Sequence, residues 1–325
     1  MKRAPIKHSA VACLDPAVGL SALFRPLGNI GRRPSLDVSC DLSGGRTLRF
    51  SAREALGARE QTTLLAVLSL ARKWPRTDAE FTVLDRPSNL EPSLSLLQAL
   101  GGPAVTGEAA TVMLSFTWTA LNQRCGVGSG GSAGDVQREC LRRLCEVVVW
   151  EEAGRRRVTA QSYLMVWLLG DDKRVHVVLN TRLAAAFLGA QYVQVPLCER
   201  NALSTDVQKL SHAFLCTTVR PGASLRISPA ALVVRLWPDN DAAPEGTRRR
   251  RLRDARLALQ AMGRLDGWQV AWDGGVATVR RQASVDVRAP TTPRSETASA
   301  RERTNGEKRN NDNDLSLSDV SGLFK

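Results

Sequence analysis

Between Thr247 and Arg256 the chain carries six arginines, Arg248, Arg249, Arg250, Arg251, Arg253 and Arg256, against a single acid, Asp254. A guanidinium presents its N–H donors in a rigid fork that matches two phosphate oxygens or the O6/N7 edge of guanine. Six in ten residues therefore point to a polyanionic partner, and duplex DNA is the one whose major groove admits a helix. The other chemistry-bearing residues do not gather into a reactive set. The only tyrosines are Tyr163 and Tyr192; His8, His176 and His212 lie far apart, and no HxH occurs, which speaks against a nicking enzyme with a tyrosine nucleophile and a histidine-held metal. The stretch GVGSGG (126–131) satisfies GxGxxG but lacks the strand, crossover and acid of a nucleotide site, so it reads as a turn. Cys140 and Cys145 diverge on a helix and no CxxC occurs, which argues against zinc. Asp171-Asp172 reads as a turn between strands, and His176 and His212 as structural residues. No catalytic residue, metal or cofactor is expected.

The arginines need a helix to present them. Placed at 100° per residue, residues 247–264 put Leu252, Ala255, Ala258, Leu259 and Met262 on an inward stripe. Arg249, Arg250, Arg253 and Gln260 then face solvent, flanked by Arg248, Arg251 and Arg256. Cations in the first turns oppose the helix dipole and repel one another, unless an anion covers them. A hairpin follows at once. Trp268, Val270 and Trp272 share one face, Asp273-Gly274-Gly275 makes the turn, and Arg280 and Arg281 add charge on the return. Such a ribbon, with Gly274 at its tip, can reach the DNA backbone beside the helix.

The bulk numbers agree. The chain has 325 residues and a formal net charge of +13, and a surplus of that size favours nucleic acid. The residues after 282 balance seven basic against seven acidic side chains, so the whole surplus lies in residues 1–282. Seven cysteines, an odd number, with no export signal read as reduced thiols of a cytoplasmic protein. The longest apolar run, 163–169, is too short to span a bilayer, so no membrane partner is expected.

Elsewhere, residues 36–50 read as a hairpin. Residues 58–73 read as a helix with Leu64, Leu65, Leu68 and Ala71 inward, ended by Trp74-Pro75. Residues 76–107 are loop-like, except that SLSLLQAL (93–100) could form one helical turn or two. A strand at 111–117 leads to a short helix ending near Cys125, the Gly-rich turn, and a second helix at 133–145. On that helix Val136, Cys140 and Leu144 face inward while Arg138 and Arg142 face out. Strands at 147–150, 158–168 and 174–179 enclose a basic turn at 151–158, where Arg155, Arg156 and Arg157 form a wing tip or a solvated turn. Helix, turn, helix and β-ribbon is the order of a winged helix.

The second half repeats the scheme. It has helices at 181–188 and 229–237, strands at 191–195 and 224–228, and a helix at 204–219 capped by Ser204. After Gln282 the composition turns polar and reads as disordered, with Leu323-Phe324 as a docking motif or an inert end. The fold class expected is α+β: a winged-helix domain at 1–180, a second at 181–282 that is the main DNA reader, and a disordered tail at 283–325.

Three stretches carry a family resemblance: KHSAVACLDPAVGLSALFRPL, SLDVSCDLSGGRTLRF followed by EALGA, and LWPDN…TRRRRLRDARLALQAMGRLDGW. Together they resemble the RepC replication initiators of IncQ-type plasmids, over about residues 6–282. The resemblance implies two winged-helix domains that bind tandem direct repeats (iterons) in double-stranded DNA at a plasmid origin. It also implies opening of adjacent A·T-rich DNA for a plasmid helicase and primase. It further implies pairing of two copies through the first domain, which limits plasmid copy number. On this chain it places DNA contact on Arg248 to Arg256 and the following hairpin, and then on Arg138 and Arg142. The residues alone leave a second reading open, a winged-helix transcriptional regulator at an operator, because both need the same reader.

Overall fold

The computed structural model describes residues 10–28, 31–71, 79–84, 91–128, 131–153 and 157–283. The expected Trp74-Pro75 helix stop, Arg155 and Arg156 of the basic turn, and the tail from 284 onward lie outside these residues. So do Ser129-Gly130 of the Gly-rich turn.

The first strand pairs far along the chain. β1 (Val11–Leu14) runs antiparallel to β10 (Val193–Pro196), with Val11 opposite Pro196. α1 (Pro16–Leu20) follows, capped by Asp15, whose carboxylate accepts from the Val18 N–H at 3.1 Å.

β2 (Leu36–Leu42) and β3 (Arg46–Ala52) form the expected hairpin. They extend into an antiparallel sheet, β2-β3-β6-β7, with β6 (Val148–Ala153) and β7 (Arg157–Tyr163). Three helices pack nearby: α2 (Ala58–Leu70), α5 (Trp118–Cys125) and α6 (Gly131–Cys145). Leu64, Leu65, Leu68 and Ala71 are buried as expected, and polar Glu60, Gln61, Thr62 and Thr63 are buried with them because β1, α5, α6 and α9 (Asp206–Thr218) surround α2. A stripe becomes a full circumference when neighbours pack on all sides. On α6 the buried face is Gln137, Cys140, Leu141 and Leu144, whereas Val136 is exposed. Gln137 is drawn inward because its Oε1 accepts from Thr63 Oγ1 of α2 at 2.7 Å.

The stretch read as loop holds structure. β4 (Glu80–Leu84), β5 (Thr111–Phe116), β9 (Val175–Leu179) and β8 (Met165–Leu169) form a second sheet in the order β4-β5-β9-β8. α3 (Ser93–Leu100) and α4 (Pro103–Thr106) belong with it, and Leu84, Leu96, Leu97, Leu100, Val166 and Val178 build a separate small core. The single strand expected at 158–168 is two, because Leu164 passes between sheets. Its N–H donates to Val147 O at 2.8 Å and its carbonyl accepts from Asn180 N–H at 3.1 Å.

In the second half, α7 (Thr181–Phe187), α8 (Leu197–Asn201) and α9 precede β11 (Ser224–Ile227), α10 (Pro229–Leu236) and α11 (Glu245–Met262). β12 (Trp268–Asp273) and β13 (Val276–Arg281) follow, and the sheet order is β11-β13-β12. The cap of α9 is Thr205, not Ser204: Thr205 accepts from Gln208 N–H at 3.2 Å, and the Gln208 amide oxygen accepts from the Thr205 N–H at 3.3 Å. One main core runs from Ala12 to Val279, through residues on both sides of position 180.

Within that core lies Arg200 of α8, 0% exposed. Its Nε donates to Thr62 Oγ1 at 3.2 Å and its Nη2 to Ala58 O at 3.2 Å, both on α2. Its Nη1 donates to Lys209 O on α9. Burial pushes its pKa down to about 9, so the guanidinium is still charged at neutral pH, with neutral oxygens as its bonded partners. Removing it strips donors from interior oxygens, and a buried acceptor left unpaired is costly. Arg200→Ala should lower unfolding stability by roughly 3 kcal/mol, read from the urea midpoint, with Arg200→Lys recovering little because one ammonium cannot span both helices. A loss below about 1 kcal/mol would show that these oxygens do not depend on Arg200.

Candidate nucleic-acid interface

α11 places its arginines in two classes. None of its residues before Ala255 is buried, and its inward face is Ala255, Ala258, Leu259, Ala261 and Met262. Leu252, expected inward, is 46% exposed. The first turns extend past the helices that cover the rest, so no surface is there to bury it.

Arg248, Arg249, Arg250, Arg253 and Arg256 are exposed, as is Gln260. Arg249 pairs with Glu245 and Arg253 lies 3.6 Å from Asp254. Arg248 and Arg250 have no carboxylate partner among the described residues. Arg251 is different: its guanidinium sits 5.4 Å over the Trp237 ring and 3.4 Å from Asp239. Arg256 stacks 5.2 Å over Trp272 of β12, which ties the helix to the hairpin.

The hairpin forms where expected, but Asp273, expected in the turn, ends β12 opposite Val276, which leaves Gly274 and Gly275 as a two-residue turn. Gly274 and Gly275 have φ of 51° and 90°, the left-handed pair that a two-residue turn of matching twist requires. Arg280 is exposed. Arg281, expected to add charge beside it, turns inward to 9% exposure and stacks 5.2 Å over Trp268. Successive strand residues point to opposite faces, so only one of the two can face out. β11 adds Arg226, which the sequence does not single out, as an exposed charge next to the hairpin, 3.4 Å from Asp273. Its only signal was a single arginine between apolar residues.

The hairpin rests on a part-buried polar group. Glu199 of α8 accepts from Trp268 Nε1 at 2.8 Å and lies 2.8 Å from His212 Nε2 on α9. Cys216 Sγ lies 3.5 Å from the same nitrogen. These three offer the one grouping of metal-ligand types found among the described residues. Their atoms are engaged with one another and with Trp268, which marks the group as a structural staple.

In the first half, α5 ends on Gly126 in the left-handed conformation (φ 70°) and α6 carries the two expected arginines. Arg138 is exposed, 5.5 Å over the Trp118 ring. Arg142 is held by Glu139 at 2.8 Å and by Glu146, which offsets its charge. Arg156 lies outside the described residues. No helix of the described residues is long and apolar enough to cross a membrane.

The family model of replication protein C (RepC) matches residues 3–274. No curated protein matches. Two crystal structures of domains 2 and 3 of RctB are similar at the level of shape. One has a TM-score of 0.45 at 10% identity, covering 81% of this chain and 95% of that chain. The other has a TM-score of 0.41 at 11% identity, covering 78% and 93%.

The staple beneath the hairpin titrates. Burial pushes the His212 imidazole down, outweighing the Glu199 carboxylate beside it. Burial pushes the Glu199 carboxyl up, but donation from His212 and Trp268 and the nearby Arg281 charge hold it below its usual range. Both native pKa values are thus depressed. The stability His212 contributes is present above about pH 6.5 and is lost as pH falls below it, when only the unfolded chain takes up the proton. The urea midpoint should therefore fall between pH 7.5 and 5.5, and His212→Gln, which keeps a donor to Glu199, should flatten that fall. An unchanged slope in His212→Gln would place the titration elsewhere.

Proposed function

The chain belongs to the replication protein C (RepC) family, and from that premise we propose that it initiates plasmid replication by binding tandem direct repeats (iterons) at the origin. The observation that carries this reading is the exposed arginine face of α11, locked to its hairpin by the stack of Arg256 on Trp272. The order α9, β11, α10, α11, β12, β13 supports a winged helix over residues 181–282. In the first half, α5, α6 and the β6–β7 ribbon have the same order, although there the ribbon is completed by β3 rather than by β5. Domains at 1–180 and 181–282 are kept as part of this reading, with residues 11–24 packing against the second.

In the mechanism, α11 enters the major groove. Arg250 and Arg253 reach base edges or phosphates, Arg248 and Arg249 hold the backbone, and Gln260 follows the groove. The hairpin crosses the adjacent backbone with Gly274 at its tip and Arg280 beside it. Arg251 and Arg281, stacked and part-buried, act by positioning these elements. Arg138 of the first half is a backbone contact, while Arg142 acts mainly within its glutamate cluster. Binding by both halves to one repeat bends the duplex and strains the neighbouring A·T-rich segment. The opened strands then receive the plasmid helicase and primase. The role is non-enzymatic, and a homodimer through the first half fits the same scheme.

The test is a footprint on the parent plasmid's origin across a salt series. Protection should recur at the period of the direct repeats and weaken steeply with salt. Arg250→Ala/Arg253→Ala should weaken repeat binding by roughly tenfold or more and reduce the salt slope by about 2. Protection confined to one inverted site over a promoter would make the protein a transcriptional regulator and end the origin-opening reading.

A further inference from the structure

We infer a second polyanion site, a cleft beside α11 that takes the sugar-phosphate backbone of duplex DNA flanking the segment α11 reads. The inference rests on the DNA-reading role proposed for α11. The cleft is a depression of about 1040 Å³ lined by Arg25, Arg32, Arg33, Arg53, Arg143 and Arg251, against Glu54 and Asp239. Its arginines fall into two groups. Arg33 is held by Glu60 at 2.9 Å, Arg143 by Glu54 at 2.7 Å, and Arg251 by Asp239 at 3.4 Å. Arg25, Arg32 and Arg53 have no carboxylate partner among the described residues. Glu54, next to Arg53 in sequence, already accepts from Arg143 and so does little to neutralise it.

Uncompensated guanidiniums in one concavity repel each other, and the low-dielectric walls focus their field outward. Nothing in the fold requires that repulsion. The backbone that carries them is anchored: Arg25 N–H donates to Leu56 O at 3.0 Å, and Pro34 O accepts from Ala55 N–H at 2.7 Å. The charges are therefore presented on a prepared surface.

The occupant follows from continuity. Pro26, Leu27, Trp237 and Arg251 line this cleft and also the neighbouring depression, which adds Arg250 beside the carboxylates of Asp206 and Asp254. Through Arg251 the two depressions are continuous, so guanidiniums, interspersed with Asp206, Asp254 and Asp239, follow one another from Arg250 on α11 to Arg32 and Arg53. A duplex seated on α11 carries one phosphate per strand every ~3.4 Å of its axis, so its backbone ridge beyond the reading helix passes into the cleft. The wall supports phosphate contact without base readout: among the lining residues the only aromatic ring is Trp237, and Arg251 already covers it.

The variant that tests this is Arg32→Ser/Arg53→Ser, since both side chains are exposed and outside the core. Binding is measured by fluorescence anisotropy over a salt series with four probes. These are a duplex of one repeat alone, the same repeat with 20-base-pair flanks, single-stranded (dT)20, and inorganic tripolyphosphate as competitor. The expected result is roughly a tenfold loss on the flanked duplex, a salt slope lower by about 2, and an unchanged affinity for the bare repeat. Arg32→Lys/Arg53→Lys restores most of the loss, because a phosphate accepts a point charge. An unchanged affinity and slope on the flanked duplex overturns the proposal. So does a loss confined to (dT)20, which makes the cleft a single-strand site, or to tripolyphosphate, which makes it a small-anion site. Should Arg250→Ala/Arg253→Ala bind both duplexes like the parent, the α11 reading is what fails; the flank-dependent loss is scored against the parent and stands apart from it.

Discussion

A charged side chain with no bonded carboxylate among the described residues, Arg200, sits in the main core and ties α2, α8 and α9 together. Burying Arg200 costs several kcal/mol, and the fold offsets that cost by giving its guanidinium oxygens from Thr62, Ala58 and Lys209. Those oxygens lie on α2 and α9, so the two helices cannot separate without stranding the charge. The neighbouring residues of α8 act in other directions. Glu199 holds Trp268 of the hairpin and His212 of α9, and Asn201 Nδ2 donates to Arg124 O in α5 at 3.4 Å. A helix of five residues thus joins both halves to the hairpin.

The arginine surplus is divided by the same logic. Arg251, Arg256 and Arg281 lie over Trp237, Trp272 and Trp268, where the negative face of each ring attracts the cation, and the Arg256–Trp272 contact ties α11 to β12. Arg248 and Arg250 stay uncommitted at the end of α11 where the helix dipole disfavours cations. Glu245 in the first turn relieves only part of that repulsion. The helix therefore carries unfavourable electrostatics in the free protein that a row of phosphates removes, which is the physical basis for reading it as an anion-binding element.

Much of this is legible in the sequence. α11 and its hairpin follow from local rules, a 3.6-residue period followed by alternation and a two-glycine turn, and both lie within two residues of the expected bounds. The expectations that failed were about neighbours. Leu252 has an inward phase but no surface opposite it. Val136 lost its place on α6 to Gln137, whose partner Thr63 is on another helix. Arg281 is paired with Arg280 in sequence and separated from it by the sheet. The strand at 158–168 looks continuous because no Gly, Pro, Asn or Asp interrupts it; only the bonds at Leu164 divide it between sheets.

By itself the sequence determined where the charge lies, which segments are helical or extended near it, and the family to which the chain belongs. These are properties of composition, period and motif, and they survive without knowledge of contacts. The tertiary structure decided which arginines are spent on tryptophans and carboxylates and which remain free. It also decided that Arg25, Arg32 and Arg53, distant in sequence from Arg251, share a cleft with it. Charge pairing and burial depend on what stands within a few ångströms, and that is set by the packing of distant segments.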